Sequence, residues 1–186
     1  LRRQAQSLRL NPDLDIGLLR GNVGSRISRL TQSNENTNAI AATLLAMAGL
    51  KRLGLSERVD KIMPINQMLP APGQGALAVQ TRKDDAELIE LLKPLNCAIT
   101  LAQITAEREF MARLDGSCKT PIAAYAEVTE DRLTLTGRLL SVDGQICAEA
   151  EITGSVNDAA AMGQRIAQDI RDNHPELIPV SDKLGG

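Results

Sequence analysis

Aromatic side chains are almost missing from this chain: Phe110 and Tyr125 are the only two, and there is no tryptophan. A core must therefore be built from Leu, Ile, Val, Ala and Met, and base stacking on aromatic platforms is disfavoured as a mode of binding. Histidine is nearly as scarce, with His174 the only one, near the end of a helical pattern beside Pro175, so a histidine triad or histidine metal site has no support. The three cysteines, Cys97, Cys118 and Cys147, are an odd number at wide spacing, without a CxxC pair, which fits a reducing cytoplasm better than a disulfide framework. No apolar run approaches the ~20 residues of a membrane span, and no signal peptide is visible. There is no basic excess: the formal net charge of -2 argues against a general nucleic-acid binder.

What is present is enough for one or two domains, since 186 residues with 43% hydrophobic content can bury a sizeable core. The charges are unevenly spread. Arg2, Arg3, Arg9, Arg20, Arg26 and Arg29 crowd the first part, whereas Glu127, Glu130, Asp131, Glu149 and Glu151 lie late. A local arginine cluster in a near-neutral protein points to a small polyanionic ligand, because the guanidinium fork matches carboxylates.

Along the chain, Ile16–Leu19 reads as a strand, followed by a Gly-bearing loop and a helical pattern from Arg26. Residues 31–38 are polar and turn-forming, and 38–46 form a less regular apolar run. Pro64, Pro70 and Pro72 with Gly73 and Gly75 mark a stiff crossover, and Ala76–Gln80 reads as a buried strand beyond it. Asp84 with Glu87 and Thr100 with Gln103 are spaced as capping boxes. The first opens a helix carrying Leu88, Leu91, Leu92 and Leu95; the second opens one running to about Leu114 and stopping at Gly116. Residues 122–128, 133–140 and 146–152 alternate as strands with short turns, an antiparallel meander, and Asn157 is placed to cap a last helix bearing Met162, Ile166 and Ile170.

Several residues could carry chemistry. Cys118 sits in Leu114-Asp115-Gly116-Ser117-Cys118-Lys119-Thr120-Pro121-Ile122, a Gly-Ser loop between helix and strand where a thiol is free to react. The preceding helix end opposes its thiolate, so Lys119 or a nearby arginine must compensate. From the loop alone it reads equally as a small apolar residue, as do Cys97 and Cys147. Arg20 and Arg26 flank a glycine loop at a helix start, where free N–H groups and the dipole favour an anion; the other reading is a solvated turn. Arg108 interrupts the apolar spacing of Leu101, Ile104 and Met111. If buried, it needs a ligand carboxylate, Asp115 or Glu107 as partner; otherwise it reaches water. Gln74 and Arg82 flank the return strand, with solvation and an ion pair to Asp84 or Asp85 as their plain readings.

The Cys118 loop resembles the cofactor-attachment loop of the porphobilinogen deaminase (hydroxymethylbilane synthase) family, roughly L-E-G-G-C-x-x-P-I. Leu1-Arg2-Arg3-Gln4, Leu19-Arg20-Gly21-Asn22-Val23-Gly24-Ser25-Arg26, Ala48–Gly54, Leu69-Pro70-Ala71-Pro72-Gly73-Gln74-Gly75-Ala76 and Ala106-Glu107-Arg108 follow the family's order. The run at 38–46 departs from the family's compact strand, such as Y-D-A-I-I-L-A. The resemblance implies a transferase that condenses four porphobilinogen molecules head to tail, with release of ammonia, to give hydroxymethylbilane for heme and other tetrapyrroles. It implies a dipyrromethane cofactor linked covalently to Cys118, with Arg2, Arg3, Arg20, Arg26, Gln74, Arg82 and Arg108 contacting cofactor or growing polypyrrole.

The chain opens at Leu1, inside what is an S-S-L-R-R motif in the family. The family's catalytic aspartate is thus expected upstream, no residue here takes its role, and a missing N-terminal portion is an expected partner. The implied fold is α/β: the remainder of a periplasmic-binding-protein-like α/β domain (1–69), a crossover and return segment to a first domain (70–97), and a C-terminal α+β cofactor-attachment domain (98–186) with a three-stranded antiparallel sheet and helices. Members of the family are usually monomeric, with no nucleic acid, membrane or metal implied. Two other readings stay open: a non-catalytic module that binds polycarboxylates, and a cysteine-nucleophile enzyme using His174 as base.

Overall fold

The alternation after Pro121 is realised as a three-stranded antiparallel sheet in the computed structural model, which describes residues 1–31, 39–114 and 120–178. Strands β1 (Ile122–Thr129), β2 (Arg132–Leu140) and β3 (Cys147–Ser155) lie in the order β1-β2-β3, with Ala124 opposite Gly137 and Gly137 opposite Ala150. The first hairpin turns at Glu130-Asp131, where Glu130 takes a left-handed φ of 56°. The second is closed by Ser141, whose N–H donates to the Ile146 carbonyl at 2.9 Å.

One sheet face carries Leu133, Leu135 and Leu139, all fully buried beneath two helices, α5 (Ala98–Arg113) and α6 (Ala159–Asn173). Ala106, Phe110 and Leu114 follow one another at i+4 on the α5 side; Met162, Ile166 and Ile170 do so on α6. Glycines set how close the layers come. A Cβ at Gly137 would stand 2.6 Å from the Phe110 ring, and one at Gly163 2.3 Å from the Ala106 carbonyl oxygen. The single phenylalanine thus fills the space Gly137 leaves, burying a side chain worth roughly 1.5–3 kcal/mol, while Gly163 lets the α5 backbone approach α6.

The capping residues differ from those expected. Asp85, not Asp84, caps α4 (Ala86–Leu92), its carboxylate accepting the Leu88 N–H at 3.2 Å. Helix α5 has Cys97 at its N-cap and no side-chain capping bond, and Gln103 points across to donate to the Ala126 carbonyl at 3.1 Å. Asn157 lies in a 3-10 turn, Val156–Asp158, where Ser155 Oγ accepts its N–H, and Asp158 precedes α6. For Asp85 and Ser155 a neighbour one or two residues away had the better reach, whereas α5 starts without a side-chain cap.

The buried strand expected at Ala76–Gln80 does not form, nor do strands at 16–19 or 39–46: none pairs with any described residue. Leu18, Leu77 and Val79 are 81%, 90% and 67% exposed. Parallel strands require neighbours to satisfy their backbone and helices to cover their faces, and an apolar run alone supplies neither. The polar run beyond Thr31 and Gly116 lie outside the described residues.

The chain divides into two compact units, Leu1–Pro12 with Ile65–Gly186, and Asp13–Pro64. The first holds the sheet, α4 to α6 and an N-terminal helix, α1 (Arg2–Leu10). The second holds α2 (Val23–Thr31) and α3 (Met47–Arg52), which meet where Gly49 faces Val23. No described helix is long and apolar enough to cross a membrane.

Candidate functional site

In the second unit, the glycine loop before α2 is organised by Asn22. Its Oδ1 accepts the Ser25 N–H at 2.9 Å, and its carbonyl accepts the Ser25 hydroxyl at 3.0 Å and the Arg26 N–H at 3.1 Å. Gly21 adopts φ 117°, a conformation side chains resist, and its carbonyl accepts Arg26 Nε at 2.8 Å. Arg26 is therefore folded back over the loop, fixing the base of its guanidinium. Arg20 is exposed in an irregular segment that pairs with no described strand.

The remaining described site residues are in the first unit. Arg2 and Arg3 open α1. Arg3 is exposed, while Arg2 is half-buried and its Nη1 is fully enclosed without a hydrogen-bond partner among the described residues. Burial, followed by the charge of Arg3, lowers the Arg2 pKa to about 10. One turn on, Gln6 is 1% exposed and saturated: its Oε1 accepts the Leu69 N–H at 2.9 Å and Arg138 Nη1 at 2.8 Å, and its Nε2 donates to the Leu69 carbonyl at 3.0 Å.

A second polar node joins α5 to the proline-rich loop. Glu107 is only 6% exposed, and its two oxygens accept the Gly73 N–H at 2.7 Å and the Ala126 N–H at 2.9 Å. Burial raises its pKa, against the lowering effect of both bonds. The buried charge on this helix is thus Glu107, not Arg108. The periodicity placed Arg108 on the apolar stripe, but the buried face runs through Ala106, Phe110 and Leu114, and Arg108 is exposed. Its Cγ and Cδ pass 3.7 and 3.8 Å from where a Gly73 Cβ would be, so its stem lies along the loop that carries Gln74. Gln74 is exposed, with its N–H turned to the Ala71 carbonyl at 3.2 Å.

Arg82 is 81% exposed and ion-paired with Asp85 at 3.0 Å, a surface contact of ~0–1 kcal/mol. Cys118 lies outside the described residues. Cys97 is exposed, with the neighbouring Thr100 lowering its pKa, whereas burial raises that of half-buried Cys147. The His174 ring meets the Glu176 carboxylate at 3.1 Å, and no group of potential metal ligands occurs among the described residues.

The first unit thus holds Arg2, Arg3, Gln74, Arg82 and Arg108, and the second Arg20 and Arg26. Gln6, Glu107 and Arg138 were not singled out from sequence. Glu107 carried a usable signal: a carboxylate between Ala106 and Phe110 on an apolar face must find donors.

Known proteins share much of this sequence. Residues 1–90 match the family model described as porphobilinogen deaminase, dipyromethane cofactor binding domain, and residues 101–172 that of the porphobilinogen deaminase C-terminal domain. The chain is similar to the porphobilinogen deaminase of Nitrobacter hamburgensis, 42% identical over 176 residues, covering 95% of this chain and 54% of that protein. The Trichlorobacter lovleyi porphobilinogen deaminase is 44% identical over 167 residues (90% and 52%), and that of Paracoccus denitrificans 43% over 175 (94% and 54%). The chain spans about half the length of these curated relatives.

Proposed function

The chain belongs to the porphobilinogen deaminase family, and from that premise we propose that it is the C-terminal part of a transferase that joins four porphobilinogen molecules head to tail. Each step releases ammonia, and the product is hydroxymethylbilane, a precursor of heme and other tetrapyrroles. The observation that carries this reading is Arg2: a cationic donor enclosed without an acceptor among the described residues, its pKa lowered to about 10, is a site that a carboxylate completes. The acetate and propionate arms of porphobilinogen are such carboxylates, and a growing polypyrrole multiplies them.

Arg2, Arg3, Arg20, Arg26, Arg82 and Arg108 hold these arms in this reading, and Gln74 adds a polar contact. The same arginines suit a dipyrromethane held at Cys118 through a thioether. When bound, that group supplies the pyrrole carbon from which the product is extended. In this reading the carboxylate that moves the proton at the reacting pyrrole comes from the half of the enzyme that the chain does not span. Asp13–Pro64 with the return segment 76–80 would be parts of periplasmic-binding-protein-like α/β domains completed by upstream residues. The exposure of Leu77 and Val79 supports this, since strand partners would cover them. A cytoplasmic location fits the unpaired Cys97 and Cys147.

Peptide mass mapping of the full-length protein tests the reading: a thioether-linked dipyrromethane is expected on Cys118, and none on Cys97 or Cys147. Arg20→Leu and Arg26→Leu should each weaken substrate or cofactor binding by ~1.5–3 kcal/mol, with Lys restoring part of it. An adduct elsewhere, or normal turnover in both Leu variants, contradicts the assignment. Polycarboxylate binding with neither adduct nor turnover would leave a binding module.

A further inference from the structure

The sheet face turned away from α5 and α6 carries one buried cation, Arg138, only 8% exposed, which the functional reading does not use. Its donors reach three other segments. Nε donates to Glu149 on β3 at 2.6 Å, and Nη2 makes an ion pair with the same carboxylate. Nη1 donates to Gln6 Oε1 on α1 at 2.8 Å, and Nη2 to the Asn66 carbonyl at 2.8 Å. Gln6 in turn grips both backbone groups of Leu69. A planar fork can do this, and a point charge such as ammonium cannot.

Gln6 follows Arg2 and Arg3 by four and three residues, so all three share one helix face, a turn apart. The same stretch of α1 has a second fixed point. At the β2–β3 turn Gly144 has φ 73°, and a Cβ there would stand 2.2 Å from the Ala5 carbonyl oxygen and 2.9 Å from the Arg9 nitrogen. Close backbone packing on one side and the Gln6–Arg138 bond on the other set both the rotation and the height of α1 on the sheet.

We infer that Arg138, through Gln6, is a positioning residue: it latches α1 to the C-terminal sheet and thereby aims Arg2 and Arg3 at the carboxylates they bind. The aiming rests on the functional reading above; the latch does not. Arg138→Lys keeps a cation near Glu149 while removing the fork, and Arg138→Met removes both. Each is compared with Thr134→Ala on the same sheet face in the full-length protein.

Hydrogen exchange reads the latch directly. In Arg138→Lys, α1 amides and the Leu69 amide should exchange about tenfold faster, the scale of one lost charge-assisted bond, while the Leu133 and Leu135 amides stay protected. In kinetics with porphobilinogen, KM should rise about tenfold with kcat changed less than about twofold, a split that loss of stability alone does not produce. Unchanged exchange in α1 with an intact sheet overturns the latch. Faster exchange with an unchanged KM in an active enzyme overturns the aiming. A wild-type full-length protein without porphobilinogen binding or turnover would sink the functional reading and with it the aiming, while the exchange result would still decide the latch. Should Arg138→Met fail to fold, the Lys variant carries the test.

Discussion

Replacing Glu107 by glutamine separates two effects that the carboxylate combines. The carboxylate accepts one backbone N–H on each oxygen, from Gly73 and from Ala126. An amide has one acceptor oxygen, so its NH2 must face the other donor, and one buried N–H loses its partner at about 1–3 kcal/mol. Glu107→Ala strands both donors, at ~2–6 kcal/mol. Against this stands the burial of the charge itself, which raises the Glu107 pKa above its ordinary 4.5 despite the two bonds. A carboxyl with a raised folded-state pKa contributes stability fully below its unfolded value and loses it as pH rises through the folded value. Wild type should therefore lose stability from about pH 4.5 upward through that titration, and Glu107→Gln should lack this loss. Urea denaturation of the chain at a series of pH values, followed by far-UV circular dichroism, measures both. The gap between wild type and Gln variant should be widest at the acid end and narrow as pH rises. A gap that widens with pH would mean that the two N–H bonds outweigh desolvation, and the argument would have its sign wrong.

Gly163→Ala should destabilise by ~1–3 kcal/mol, because the added carbon meets the backbone of Ala106 and Phe110 rather than a movable side chain. Gly75→Ala, with nothing within 4 Å, is the control, and equal melting temperatures for the two variants would refute the close approach of α5 and α6. Iodoacetamide near neutral pH should alkylate Cys97 well before Cys147, since the first is exposed with its thiolate favoured by Thr100 and the second is half-buried with its thiolate disfavoured. Peptide mapping of a timed reaction decides this, and equal rates would contradict it.

The C-terminal meander was legible because alternation and turn residues are local: the third strand begins at Cys147 rather than Ile146 and extends to Ser155, and the other two fall within a residue or two of their expected ends. Helix α6 was legible for the same reason, through Met162, Ile166 and Ile170. What local pattern could not decide was which of two adjacent polar residues reaches a helix end, hence Asp85 for Asp84. It also could not decide whether an apolar run finds a sheet, hence the exposed Leu77. Between burial and water for Arg108 the spacing could not choose, because Leu101, Ile104 and Met111 mark a flank of α5; Leu101 is 47% exposed and Arg108 reaches water. Gln6 and Arg138 were illegible because their partners are distant in sequence, 132 residues apart for the pair itself, and for Glu107 the pattern showed the need for donors but not that Ala126, 19 residues on, supplies one. Arg2 and Arg3 announced themselves by charge, but α1 carries no capping side chain to mark it as a helix.

The outer edge of β1 is closed without a strand. The Ile122 N–H goes to the Thr120 carbonyl and the Ala124 N–H to the Pro70 carbonyl, while Ala126 has its N–H taken by Glu107 and its carbonyl by Gln103. Side chains one helical turn apart on α5 thus reproduce the donor and acceptor of a neighbouring strand. Addition of a further strand, from another copy or a foreign peptide, is obstructed along that margin from Ile122 to Ala126. The other edge, beyond β3, has no described strand alongside it.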